Sequence, residues 1–259
     1  MADHLPQTGV PQTDVRQPGV PAAHVGGAHV PGAHGGHAAH AETFALRVQF
    51  DTEAQQKDAS TLGMWLFLIT EIMFFGGMFA VYTVYRNWYS DVFNVASSSL
   101  NQIIGAINTG VLLLSSFTMV MAVRAGQLGQ RNMIIIFLIL TLLFGGIFLG
   151  VKAYEWHEKW EEHHIPGQTG FHLEGVAPSE QGHAQLFFSI YFAMTGLHAL
   201  HMVIGVVILL TLIFQAKAGK FSASYYTPVD VAGLYWHFVD VIWIFLFPLL
   251  YLIDRHMGK

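Results

Sequence analysis

Long apolar runs, broken by short polar segments, give this chain its outline. They lie at 62–85, 103–123, 133–153, 184–214 and 232–253. Each is long enough to cross a hydrocarbon core of about 30 Å at about 1.5 Å rise per residue. The pattern predicts an all-α membrane domain over 61–254, a polytopic bundle of five transmembrane helices. The fourth run is the longest, so its helix should tilt or project beyond the bilayer. Tyr82, Tyr85, Arg86, Trp88 and Tyr89 close the first run as an aromatic and basic interfacial belt. Ahead of it, Phe44, Leu46, Val48 and Phe50 alternate with polar positions and Asp51 to Ser60 is polar, so 42–60 reads as an extended segment on a protein or membrane surface. Residues 1–41, rich in Pro, Gly, Ala and His and without apolar periodicity, read as a disordered tail.

Composition agrees with that outline. Of the 259 residues, 53% are apolar and 11% charged, and the mean hydropathy is +0.44, values of a membrane protein. The net charge of −5 comes without a basic patch, so nucleic acid drops out as a partner. The absence of cysteine removes disulfides, thiolate-ligated copper, iron–sulfur clusters and covalently attached haem. The tail carries His4, His24, His29, His34, His37 and His40, at spacings that match no closed metal site. It has no charged segment followed by an apolar one, so it is no secretory signal, and the N-terminus is expected in the cytoplasm. Arg124, Arg131, Lys217 and Lys220 fall on the same side as Arg47 and Lys57, which assigns that side as cytoplasmic and places the C-terminus outside. Arg86, Lys152, Lys159, Arg255 and Lys259 oppose the bias, two of them in an acidic loop.

Several polar groups lie inside the apolar runs. His198 and His201, three residues apart, share one helix face, and ionisable groups at that depth turn toward protein, cofactor or cavity. They read either as haem or metal ligands or as histidines hydrogen-bonded within the bundle. Glu71, about nine residues into the first run, is either a proton-relay carboxylate or a buried carboxyl packed against another subunit. His237 and Asp240 share a face of the last helix beside Trp236, where they can pair as a proton-uptake element or lock helices together. In the loop after the third run, His157-Glu158 is followed by Lys159-Trp160-Glu161, so the H-E-x-x-H zinc pattern fails and a helical extension anchored by Trp156 and Trp160 remains. Gly76, Gly77, Gly105, Gly146, Gly150, Gly196 and Gly205 allow close helix approach.

The strings TEIMFFGGMFAVY at 70–82, NTGVLLLSS at 108–116, TGLHALHMVIG at 195–205 and YWHFVDVIW at 235–243 resemble cytochrome c oxidase subunit III, in order and across nearly the whole chain from Thr61. The resemblance implies a non-redox accessory subunit of a proton-pumping haem–copper terminal oxidase in a bacterial inner membrane. Such a subunit packs against catalytic subunit I in a complex with subunit II, binds phospholipid and supports proton uptake. It carries no cofactor, haem and copper being on the partner subunits, and the enzyme activity belongs to the complex. Glu71, His198, His201, Trp236, His237 and Asp240 match lipid-associated, subunit-facing or structural polar positions of the family. The longer family form has seven spans, and this chain resembles the last five. A haem-binding anchor using His198 or His201 with His237, and the third subunit of a quinol oxidase or nitric-oxide reductase, are the alternative readings.

Overall fold

The computed structural model describes residues 49–167 and 170–252. The His-rich tail, the alternating residues Phe44 to Val48, and Arg255 and Lys259 lie outside the described residues. The rest folds into six α-helices: α1 (Glu53–Trp88), α2 (Ser90–Ser98), α3 (Gln102–Gln127), α4 (Arg131–Glu161), α5 (Gln181–Lys217) and α6 (Thr227–Tyr251), with one 3-10 turn at Pro178–Glu180. No strand occurs among the described residues. Five of the helices, all but α2, are long and apolar enough to span a bilayer. Helices suit that setting because lipid offers no partner for backbone N–H and C=O groups.

Helix boundaries follow local chemistry more than the edges of the apolar runs. α1 reaches back to Glu53, through residues read from sequence as an interfacial segment, because the Thr52 side chain accepts a hydrogen bond from the Gln55 N–H and caps the first turn. The Asn101 side chain does the same for α3, accepting from the N–H groups of Ile103 and Ile104. Gly129, at φ 67°, supplies the left-handed residue that turns the chain from α3 into α4. α2 is an addition to the expected pattern. Its nine residues pack Val92, Phe93 and Ala96 onto the bundle, too short a stretch to register as a span.

The helices run back and forth, and α3 packs against both α4 and α6, with α5 closing the group. Close approach centres on Trp236 of α6, whose indole fills the space where a Cβ would stand on Gly145 (2.8 Å) and Gly205 (2.9 Å). Gly105 receives Phe247 in the same way. The expected pairing through Gly146 and Gly150 is not what the structure uses. Both, like Gly76 and Gly77, have nothing within 4 Å, and the neighbouring Gly145 makes the contact instead. A one-residue step on a helix turns a side chain by about 100°, so two adjacent glycines cannot both face the seam.

Candidate functional site

The polar residues inside the bundle form three groups. At the α1–α5 contact, Glu71 Oε2 lies 3.2 Å from His201 Nε2. The other ring nitrogen, Nδ1, is 2.9 Å from the Leu197 carbonyl. A carbonyl only accepts, so Nδ1 carries the hydrogen and Nε2 faces the carboxyl. Tyr235 donates to the His201 carbonyl at 3.0 Å, tying α6 to the same point. The sequence offers Glu71 as a proton-relay carboxylate or a carboxyl packed against another subunit; the structure pairs it with His201 across helices.

The second group fills the α3–α6 seam. Trp236 donates to Ser115 Oγ and Trp243 to Thr109 Oγ1, both at 3.0 Å. His237 Nδ1 is 2.7 Å from Ser116 Oγ. The expected His237–Asp240 pair does not form. Residues three apart share a face only approximately, and His237 is drawn to α3. Asp240, 2% exposed, lies beside the Ser116 hydroxyl, yet neither carboxyl oxygen reaches hydrogen-bonding geometry with it. His198 is 1% exposed, with Phe148 and Trp243 rings 5.5 and 5.1 Å away, and neither ring nitrogen has a hydrogen-bond partner in the protein. This corrects the expectation that both histidines are hydrogen-bonded in the bundle.

The third group had no place in the sequence reading. Lys152 and Glu155, read as loop charges, lie on α4 inside the bundle, each 4% exposed. Lys152 Nζ is 3.1 Å from Glu155 Oε2, 3.2 Å from Tyr191 OH and 2.9 Å from Tyr251 OH, and sits 5.0 Å above the Trp243 ring. Tyr191 donates to Glu155 Oε1 at 2.6 Å, and Tyr251 donates to the same oxygen. The signal was present in the sequence as Lys152-x-x-Glu155, spaced for one helix face at the end of an apolar run. Nearby, Tyr82 and Ser97 donate to the carbonyls of Leu249 and Leu250, two of the last carbonyls of α6 that have no partner within the helix. Further out, Lys159 bridges the Ser99 carbonyl (3.0 Å) and Glu162. Partial burial pushes the Glu162 carboxyl up, but the hydrogen bond and charge of Lys159, joined by His164, outweigh it and hold its pKa below the ordinary value.

Phe148 and Trp243 pack against the His198 ring, and Ser116 engages Nδ1 of His237. Among the described residues no group of three or more His, Cys, Asp or Glu side chains is placed to hold a metal ion.

Fold and seams define an integral membrane protein, a helical bundle locked by internal polar contacts. Residues 178–254 match the family model of cytochrome c oxidase subunit III. The cytochrome c oxidase subunit 3 of Thermostichus vulcanus is 31% identical over 219 residues, 83% of this chain and 97% of that protein. The quinol oxidase subunit 3 of Bacillus subtilis is 30% identical over 82% of this chain and 96% of its own length, and the cytochrome bo(3) ubiquinol oxidase subunit 3 of Pseudomonas putida is 30% identical over 75% and 86%. The chain belongs to the subunit III family of haem–copper oxidases.

Proposed function

We propose that this chain is the accessory, non-redox subunit of a proton-pumping terminal oxidase in a bacterial cytoplasmic membrane. It packs on catalytic subunit I in a complex with subunit II, holds phospholipid, and supports proton uptake and resistance to inactivation during turnover. Oxygen is reduced to water at the haem–copper centre of the partner. The observation that carries this reading is the match to relatives named as oxidase subunits over 97% and 96% of their lengths. The internal contacts add to it, because Glu71, His201, Trp236 and His237 are all engaged by this chain's own groups. Asp240, buried within the α3–α6 seam, acts as a structural polar group and not as a residue presented to subunit I.

The orientation has the N-terminal end of α1 in the cytoplasm and the C-terminal end of α6 outside. Lys152 and Lys159, which counted against it, are buried and paired, and so drop out of the loop-charge comparison. The relatives' names include both cytochrome c and quinol oxidases, so the donor is the second question. A tagged chain purified from its own membranes in mild detergent tests both. Recovery of a haem–copper core supports the role, and oxygen consumption with cytochrome c or quinol names the class. Recovery alone with stoichiometric haem overturns it.

A further inference from the structure

The seam between α3 and α6 opens at one end into a groove of about 210 Å³, lined by Val120, Val123 and Arg124 of α3 and by Asp230, Leu234 and His237 of α6. Its place follows from the helix ends. Arg124 stands in the last turn of α3 and Asp230 in the first turn of α6, so the mouth lies at the polar boundary of the bilayer. Seven residues separate Asp230 from His237, about 10 Å along the helix axis, which carries the groove from the level of the head groups toward the hydrocarbon. The walls follow the same gradient, with charge at the mouth and Val120, Val123 and Leu234 below it. All of the lining belongs to α3 and α6, apart from the Glu71–His201 contact between α1 and α5.

The two charges at the mouth do not neutralise each other. Arg124 Nη1 donates to Gln127 Oε1 at 3.0 Å within its own helix, and the Asp230 carboxyl has no hydrogen-bond or ion-pair partner among the described residues. A cation on one wall and an anion on the other, above an apolar floor, complement a molecule built of phosphate, ammonium and acyl chain. Net charge decides among lipids. An anionic head group would bring uncompensated negative charge beside Asp230, whereas a zwitterion leaves the site neutral. A primary ammonium also offers Asp230 N–H donors, which a quaternary ammonium lacks. A helix of another subunit is a poor fit, because a cylinder about 10–12 Å across needs several times this volume over the same length.

We propose that the α3–α6 groove binds a zwitterionic aminophospholipid of the phosphatidylethanolamine type, its phosphate on Arg124, its ammonium on Asp230 and the start of one acyl chain against Val120, Val123 and Leu234. The inference rests on the reading of this chain as an oxidase subunit that holds phospholipid, and gives one lipid a place on it. The test reconstitutes the purified complex in nanodiscs of equal phosphatidylethanolamine and phosphatidylglycerol, each in turn carrying a photoactivatable diazirine near the start of an acyl chain, and maps the labelled peptides by mass spectrometry. Residues 120–127 and 230–237 should take up the phosphatidylethanolamine label several-fold over the phosphatidylglycerol label. Asp230→Asn should bring the two lipids level, and Arg124→Gln should lower labelling by both. Should these variants fail to accumulate, competition in the wild type replaces them: unlabelled phosphatidylethanolamine should displace the label several-fold better than phosphatidylcholine, which has the same charges without the N–H donors. Equal labelling by the two lipids in the wild type, labelling by neither because a partner subunit covers the groove, a preference that survives Asp230→Asn, labelling unchanged in Arg124→Gln, or equal displacement in the competition overturns the proposal. Haem and total bound phospholipid, measured on the same preparation, keep the two readings apart. A complex with haem and lipid but no selective labelling contradicts this site alone, whereas a chain recovered without a haem–copper core contradicts the accessory role.

Discussion

Two polar clusters are buried in this bundle, and they are built on opposite terms. Lys152, Glu155, Tyr191 and Tyr251 satisfy one another: the ammonium has a carboxylate and two hydroxyls within 3.2 Å, and the carboxylate accepts from both tyrosines. Asp240, His198 and Asn108 leave five atoms without a protein partner. Lys152 of the first and His198 of the second both lie against Trp243. A buried charge is tolerated only with its counter-charge and hydrogen bonds in place, whereas groups that can stay neutral tolerate incomplete pairing better. The first cluster therefore makes its members mutually dependent. The second leaves room for substitution.

The largest effect expected is from breaking the paired cluster on one side. Glu155→Leu strands the Lys152 ammonium and should destabilise the chain by about 3–5 kcal/mol, with Lys152→Met/Glu155→Leu recovering most of the loss. Thermal unfolding of the detergent-solubilised protein checks this, and equal stability of single and double variants would refute the mutual dependence. Overpacking at the Trp236 contact comes next. Gly205→Val places its Cβ about where the indole stands (2.9 Å) and should cost about 1–3 kcal/mol, while Gly146→Ala, with nothing within 4 Å, should leave the unfolding midpoint unchanged or raised. For the Glu71–His201 contact, Glu71→Gln should lower retention of lipid or partner subunits on detergent washing at constant haem content; full retention argues against a role at that contact. Within the unpaired cluster, His198→Phe should be tolerated better than Glu155→Leu, and the reverse order of stability would invert the comparison.

The smallest effect lies outside the membrane. The Glu162 pKa is lower folded than unfolded, so its contribution is present above the unfolded pKa and lost as pH falls through the folded one. With the side chain 39% exposed, screening keeps the effect small. Glu162→Gln should flatten the acid limb of stability against pH without moving the neutral plateau; an unchanged acid limb counts against the Lys159–Glu162–His164 arrangement.

Much of this was legible before any coordinates. Long apolar runs admit only helices in lipid, which is why the all-α membrane bundle could be read from hydropathy alone. The residues TGLHALHMVIG and YWHFVDVIW announced that polar groups face inward. Which partners they meet was not legible, because pairing across helices depends on rotation and register. Glu71 and His201 are 130 residues apart in sequence and meet through the facing of α1 and α5. Lys152 and Glu155 stand at the end of an apolar run where an acidic loop is expected to begin, whereas α4 carries them inside, hydrogen-bonded to each other and to Tyr191 and Tyr251. Gly145 makes the contact that spacing gave to Gly146, a single-residue rotation that no periodicity argument resolves.

The central claim is that this chain supports an oxidase without taking part in its redox chemistry. Its most direct test is oxygen consumption, followed through continuous turnover, by membranes from cells lacking this chain, with haem content measured in parallel. The account predicts a near-normal initial rate and unchanged haem per catalytic subunit, followed by faster loss of activity. Loss of haem in proportion to the missing chain, or no initial turnover with subunit I still present, would contradict it.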